Sequence, residues 1–183
     1  MNQQEYRPDP SILAQAQPGT PFIDGERAIF VWQGETAPQL IGDWTGWEQG
    51  APAVLAEVEP GLWAYSLALP VDAYLEYVYW QDGRRVPDPL NSRTTPNGMG
   101  GTNHWFYMPE GAPTPLTRRQ RNVPVGTSTR HQIENDFLIV GRKRDVYLYD
   151  PPVDEQVPLL IVLDGREYRR RAKLVHIVDN LIA

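Results

Sequence analysis

"YLEYVYWQDG", Tyr74 to Gly83, decides how this chain is read. A short run crowded with aromatic and β-branched residues fits a pleated, half-buried strand. It closes on Asp82-Gly83, a strong hairpin turn signal, because both residues accept the positive φ that a tight turn demands. Working outward, the same pattern recurs on either side. "RAIFVWQG" (Arg27–Gly34), "PQLIGDW" (Pro38–Trp44), "LWAYSLALP" (Leu62–Pro70) and "HWFYMP" (His104–Pro109) all read as short strands. In Leu62–Pro70 the alternation puts Trp63, Tyr65, Leu67 and Leu69 on one face. Turn signals at roughly ten-residue spacing predict an antiparallel sandwich. No long helix fits between these strands, and all 6 tryptophans fall among them.

The flanks differ in character. Residues 9–17 are predicted as a short helix, with Asp9 or Ser11 as N-cap and Pro18-Gly19 as the stop. Residues 110–126, rich in Pro and Arg, read as an extended linker, since each proline fixes φ and biases its predecessor away from helix. Beyond it, "TSTRHQIENDFLI" and "RKRDVYLYDPP" predict two antiparallel strands joined near Gly141. "PLLIVLD" (Pro158–Asp164) has the unbroken apolar run of a strand buried in a parallel sheet. A helix is predicted from about Glu167 to Ile182, with Leu174, Ile177, Val178, Leu181 and Ile182 as its apolar stripe. Arg169, Arg170 and Arg171 would then crowd its N-terminal end, against the helix dipole. The domain expectation is 1–24 helix and linker, 25–109 sandwich, 110–126 linker and 127–183 a second, α/β portion.

Charge separates the same portions. Residues 1–117 carry 5 Lys+Arg against 14 Asp+Glu, a net of −9; residues 118–183 carry 12 against 9, a net of +3. The overall formal charge of −6 argues against a general polyanion binder, so no nucleic-acid partner is expected. Cysteine is absent, which removes disulfides, thiolate nucleophiles and Cys-ligated metals. No run of about 18 apolar residues predicts a membrane span, and the N-terminus has no apolar signal region. A cytoplasmic location is the default expectation.

Chemistry-bearing residues are sparse. Ser11, Ser66, Ser92 and Ser128 all lie outside the G-x-S-x-G context of a nucleophile elbow. His104, His131 and His176 are scattered, so no Ser/His/Asp set and no metal-ligand spacing can be assembled. "NGMGG" (Asn97–Gly101) is glycine-rich but precedes a strand, which suits a positive-φ loop better than a phosphate cradle. No cofactor or metal is implied. "IGDWTGW" places Trp44 and Trp47 three apart, where indole faces could stack on sugar rings or close the sandwich core.

Taken together, "FVWQG", "LIGDWTGW", "GLWAYSLALP", "YVYWQDG", "DPLNSR" and "NGMGGTNHWFYMP" resemble the N-terminal β-sandwich of enterochelin esterase-like proteins. That module is an immunoglobulin-like, early-set sandwich related to the glycogen-binding modules of amylolytic enzymes. "DPLNSR" is the most specific piece, with Ser92 where the family usually has Pro. "HQIENDFLIVGRKRDVYLYDPP" and "PLLIVLDGREYRRRAKLVHIVDNLIA" resemble the first strands, oxyanion loop and first helix of the family's esterase domain, an α/β-hydrolase fold. The resemblance spans about residues 25–183 and implies a parent serine hydrolase of carboxylic esters, trilactone iron-siderophores among them. Family members continue for a further ~150–200 residues, a usual domain length, carrying the serine, acid and histidine. The chain as given is therefore expected to be inactive alone.

The resemblance also assigns residues. Asp164-Gly165-Arg166 stands at the oxyanion loop, with the Arg166 backbone N–H as donor and Gly165 allowing the turn. The plain alternative is a strand-to-helix turn capped by Asp164. Related glycogen-binding modules use two stacking tryptophans, a strand lysine and an asparagine. Trp47 matches the first tryptophan, Val78 stands at the lysine, Arg85 at the second tryptophan, and Asn103-His104 at the asparagine. Losing a stacking platform and a cationic donor removes roughly 1–2 kcal/mol per contact, so any carbohydrate partner would bind weakly. The apolar run before Asp164 and the stripe of the last helix are expected to lie partly uncovered, favouring self-association.

Overall fold

β7 (Tyr74–Gln81) turns through Asp82 (φ 50°) and Gly83 (φ 72°) into β8 (Arg84–Val86), the hairpin expected of an Asp-Gly pair. The structure, a computed structural model, describes residues 20–137 and 140–182. The helix expected over residues 9–17 lies outside the described residues. The chain divides into two compact units, Met1–Ala112 and Pro113–Ala183.

In the first unit, β1 (Phe22–Asp24), β2 (Arg27–Gln33), β5 (Ala56–Glu59) and β6 (Leu62–Ala68) form one sheet in the order β1-β2-β6-β5. The second sheet runs β4-β3-β7-β10-β9, with β3 at Gln39–Gly42, β4 at Ala53–Val54, β9 at Thr94–Pro96 and β10 at Thr102–Tyr107. β8 pairs with β7, and the pairings of both sheets are antiparallel. Helical structure among the described residues of this unit is confined to the 3-10 turns Asp43–Thr45 and Trp47–Gln49.

Alternation decides which side chains meet. Ala28 and Phe30 of β2 point into the same core as Leu40 of β3, Leu75, Tyr77 and Tyr79 of β7, and Phe106 of β10. Trp63, Tyr65, Leu67 and Leu69 pack against that core, as their shared face predicted. Phe30 sits among rings: Tyr77 and Phe106 meet it edge-on at 4.9 and 5.7 Å, and Trp44 lies 5.3 Å away. Such pairs add about 0.5–1.5 kcal/mol each beyond area burial. The opposite face of the first sheet carries a small cluster of Val31 and Ala64 with Phe22, Val58 and Leu62.

"DPLNSR" becomes a buried polar hub. Asp88 Oδ2 accepts from the Thr20 hydroxyl and from the Tyr77 hydroxyl, both at 2.6 Å, and Oδ1 accepts from the Leu90 N–H at 2.8 Å. The Asp88 N–H donates to His104 Nε2 at 2.9 Å. Asn91 Nδ2 donates to Tyr77 Oη and to the Trp105 carbonyl, while its Oδ1 accepts from the Arg93 N–H and Nε. Thr20, Tyr77, Asp88, Asn91 and His104 are all buried. Burial beside the Asp88 carboxylate pushes the Tyr77 hydroxyl well above its ordinary range, so it stays a donor.

In the second unit, β11 (Thr127–Glu134) and β12 (Lys143–Asp150) form the expected antiparallel pair. The rest departs from expectation. Residues Pro158–Asp164 are not a strand: Leu159, Leu160, Ile161 and Leu163 are 68–82 % exposed. A parallel strand exists only through its neighbours, and among the described residues none pairs with this segment. The single helix expected over Glu167–Ile182 is two, α1 (Gly165–Arg170) and α2 (Leu174–Ile182). Lys173 breaks them by adopting φ 57°, and its carbonyl accepts from the His176 and Ile177 N–H groups that open α2. Arg169 and Arg170 consequently fall in the last turn of α1, where the dipole favours positive charge, rather than at a helix start. Asp179 of α2 is buried, and its Oδ1 accepts from the Gly126 N–H at 3.1 Å and from the Tyr149 hydroxyl. The open end of the hairpin, where β11 begins and β12 finishes, is thereby held to α2.

Candidate functional site

The residues singled out around "IGDWTGW" separate. Trp44 turns inward and packs on the core beside Phe30. Gly42 makes that possible, because a Cβ there would lie 2.7 Å from both the Trp44 ring and the Glu76 carbonyl. Trp47 instead stays half-buried at the surface, with φ 59° placing it just past Gly46.

Trp47, Arg85 and Asn103 come together. The Arg85 guanidinium lies over the Trp47 ring at 5.5 Å. Its Nη1 donates to Asn103 Oδ1 at 2.7 Å and its Nη2 to Glu48 Oε1 at 2.5 Å. Asn103 Nδ2 donates to Glu76 Oε2 at 2.7 Å. The circuit closes through Asp43, whose Oδ2 accepts from the Glu76 N–H at 2.8 Å and whose Oδ1 accepts from Trp47 Nε1 at 3.1 Å. Val78, at the position matched to the lysine of related modules, is buried and takes no part. The backbone N–H of Glu48, and then the Arg85 guanidinium, hold the Glu48 carboxyl below the ordinary carboxylate value. Burial, then the Glu76 carboxylate, pushes the Tyr74 hydroxyl well above its ordinary range while it donates to Glu76 Oε1.

Chemically this is a self-satisfied polar surface. The cation that covers Trp47 already donates to an amide and a carboxylate, so the ring face and the guanidinium edge are both engaged. Asp43, Glu48 and Glu76 went unread in the sequence. Glu76 carried a signal, as the lone charged residue within the strand Tyr74–Gln81; Asp43 and Glu48 carried none beyond lying beside tryptophan.

The 164–166 turn also differs in detail. The left-handed residue is Asp164, at φ 54°, and Gly165 is already helical, with open space where a Cβ would stand. Asp164 makes no side-chain cap; its carbonyl accepts from the Glu167 and Tyr168 N–H groups instead. Arg166 is the second residue of α1, in the turn whose N–H groups lack intrahelical acceptors. Elsewhere, among the described residues, no serine hydroxyl is hydrogen-bonded to a histidine: His104 bonds the Asp88 N–H and His131 the Thr129 hydroxyl. No group of three His, Asp or Glu among them is placed to hold a metal, and no helix among them is long and apolar enough to cross a membrane.

No protein-family profile matches the chain. No curated protein sequence matches it either. Solved structures do. The ferric enterobactin esterase of Salmonella typhimurium is similar over 85 % of this chain and 49 % of its own, at 19 % identity and a TM-score of 0.56. The enterobactin esterase of Shigella flexneri, solved in the presence of enterobactin, is similar over 98 % of this chain and 55 % of its own, at 13 % identity and a TM-score of 0.54. A second structure of that esterase, with 2,3-dihydroxy-N-benzoyl-serine, covers 97 % and 54 % at 14 % identity and a TM-score of 0.52. This chain thus spans about half the length of these enterobactin esterases and shares its fold with that half.

Proposed function

We propose that this chain is the N-terminal portion of a serine carboxylic-ester hydrolase of the enterochelin (ferric siderophore) esterase type. In this reading the first unit is an immunoglobulin-like, early-set sandwich, and the second is the opening of an α/β-hydrolase domain. The observation that carries it is the fold likeness to enterobactin esterases across 85–98 % of the chain. The substrate of the whole enzyme would be a small-molecule ester, acted on in the cytoplasm. Asp164-Gly165-Arg166 would contribute one oxyanion donor, the Arg166 N–H, with the other coming from the residue after the nucleophile. The exposed Leu159, Leu160, Ile161 and Leu163 support the same reading, since an apolar strand sequence without neighbours fits a sheet that this stretch alone does not build.

The test is the DNA that follows the Ala183 codon. An in-frame continuation with G-x-S-x-G, then an acid and a histidine, supports the proposal; a stop codon there sinks it. In the continued enzyme, Arg166→Pro keeps a first-turn helical residue but deletes the N–H, and should lower kcat about 10²–10³-fold. The chain as given should not raise p-nitrophenyl acetate hydrolysis above the uncatalysed rate.

A second reading, a non-catalytic carbohydrate-binding sandwich, is favoured by the convergence of Trp47, Arg85 and Asn103 on one surface. Against it, Arg85 occupies the ring face a sugar would need. Titration with maltoheptaose, followed by tryptophan fluorescence, discriminates. A saturable change that vanishes in Trp47→Ala would support binding, and its absence would dismiss it.

A further inference from the structure

The second unit contains a cleft of about 350 Å³ lined by Ser128, Arg169, Arg170, Lys173, Val175 and His176. Three of its six lining residues are permanent cations, and no carboxylate lines it. No carboxylate among the described residues pairs with Arg169, Arg170 or Lys173. Like charges crowded into a concave surface repel one another and focus a positive potential into it. An anion relieves that repulsion.

Two details give the cleft definition. The Arg169 guanidinium lies over the Tyr147 ring, 4.0 Å from its centroid, a cation–π contact that restrains the side chain. A guanidinium over a ring keeps its edge N–H groups for a planar or tetrahedral oxyanion, which is the geometry arginine recognises best. Lys173 holds φ 57°, where a glycine would sit without strain, yet it brings an ammonium to the cleft wall. Left-handed backbone at a bulky residue costs roughly 1–2 kcal/mol, and such outliers concentrate at binding sites. The Ser128 hydroxyl adds a neutral donor or acceptor.

We propose that this cleft binds a small oxyanion carrying two or more negative charges, a phosphate or polycarboxylate group, between Arg170, Lys173 and Arg169. A monoanion would leave most of the cationic charge uncompensated. A long nucleic acid is disfavoured by the net charge of −6 on the whole chain. This site is independent of the esterase reading and lies outside the Asp164–Arg166 loop.

Calorimetric titration of the full chain with inorganic pyrophosphate, and in a second arm with citrate, tests it. At an ionic strength of about 0.1 M, at least one anion should saturate a single site with Kd below about 1 mM, weakening as salt rises. Saturation by pyrophosphate alone assigns phosphate chemistry; saturation by citrate alone assigns carboxylate chemistry; saturation by both assigns recognition by charge. Arg170→Gln should weaken binding about tenfold. Lys173→Gly should do the same while keeping the left-handed backbone that separates the two helices, so its loss of binding cannot be put down to misfolding. Failure of both anions to saturate, or unchanged affinity in Lys173→Gly, overturns the proposal.

Discussion

The Tyr77 hydroxyl donates to Asp88 Oδ2 at 2.6 Å, and the Thr20 hydroxyl donates to the same oxygen, so one buried carboxylate holds two buried hydroxyls. Asp88→Ala leaves both hydroxyls and the Leu90 N–H without their acceptor. The expected loss is about 3 kcal/mol or more, read as a shift in the urea midpoint. Tyr77→Phe keeps the ring but removes one donor to Asp88 and one acceptor of Asn91 Nδ2, which retains the Trp105 carbonyl, and should cost about 1–2 kcal/mol. Equal losses in the two variants would show that the carboxylate is not the organising group.

Gly42 is required by space rather than by backbone freedom. Its φ is −176°, ordinary extended geometry, but a Cβ would meet the Glu76 carbonyl and the Trp44 ring at 2.7 Å. Gly42→Ala should destabilise the first unit by about 1–3 kcal/mol through overpacking. Trp44 fluorescence should shift to the red as its ring is pushed from the core.

Tyr149 links pH to stability in the second unit. Burial, and then the hydrogen bond to Asp179, pushes its hydroxyl from 10 up to about 12. The folded form holds the proton more tightly than the unfolded one. Its contribution is therefore complete below pH 10 and fades as pH climbs through 12. Tyr149→Phe should flatten the alkaline fall in stability over that window and delete one late-ionising step from the tyrosinate absorbance titration. An unchanged alkaline profile in the variant would contradict this.

The segment from Val157 to Leu163 should make the chain associate. Val157, Leu159, Leu160, Ile161 and Leu163 lie open to solvent, and an exposed apolar stretch outside any sheet pairing is a template for association. Sedimentation velocity should show concentration-dependent association. The double change Leu160→Ser and Ile161→Ser should reduce it, while stability stays within about 0.5 kcal/mol. A monodisperse monomer at high concentration would count against it.

What could be read from sequence was what local chemistry settles. Asp82-Gly83 demanded a hairpin, and the alternation of Trp63, Tyr65, Leu67 and Leu69 chose the core face before any partner was known. Pro158–Asp164 misled because apolar content says that a segment wants cover, whereas pairing depends on neighbours elsewhere in the chain. The break at Lys173 carried no glycine or proline to announce it. Around Trp47 the register assigned to Arg85 and Asn103 brought them to one surface, but their mutual satisfaction depends on Glu48, Asp43 and Glu76 across three strands and two turns. Such closure is a property of the folded sheet and not of any one stretch.

The Thr20–Asp88 bond also sets how far the sandwich can be trimmed. The first sheet opens at Phe22 with β1, and a recombinant fragment beginning there would keep the strands of both sheets. It would nonetheless lack the hydroxyl that occupies Asp88 Oδ2 and the carbonyl of Thr20 that accepts from Arg93 Nη2 at 3.1 Å. The smallest excisable piece of the first unit therefore starts no later than Thr20, ahead of Phe22, where its sheets begin.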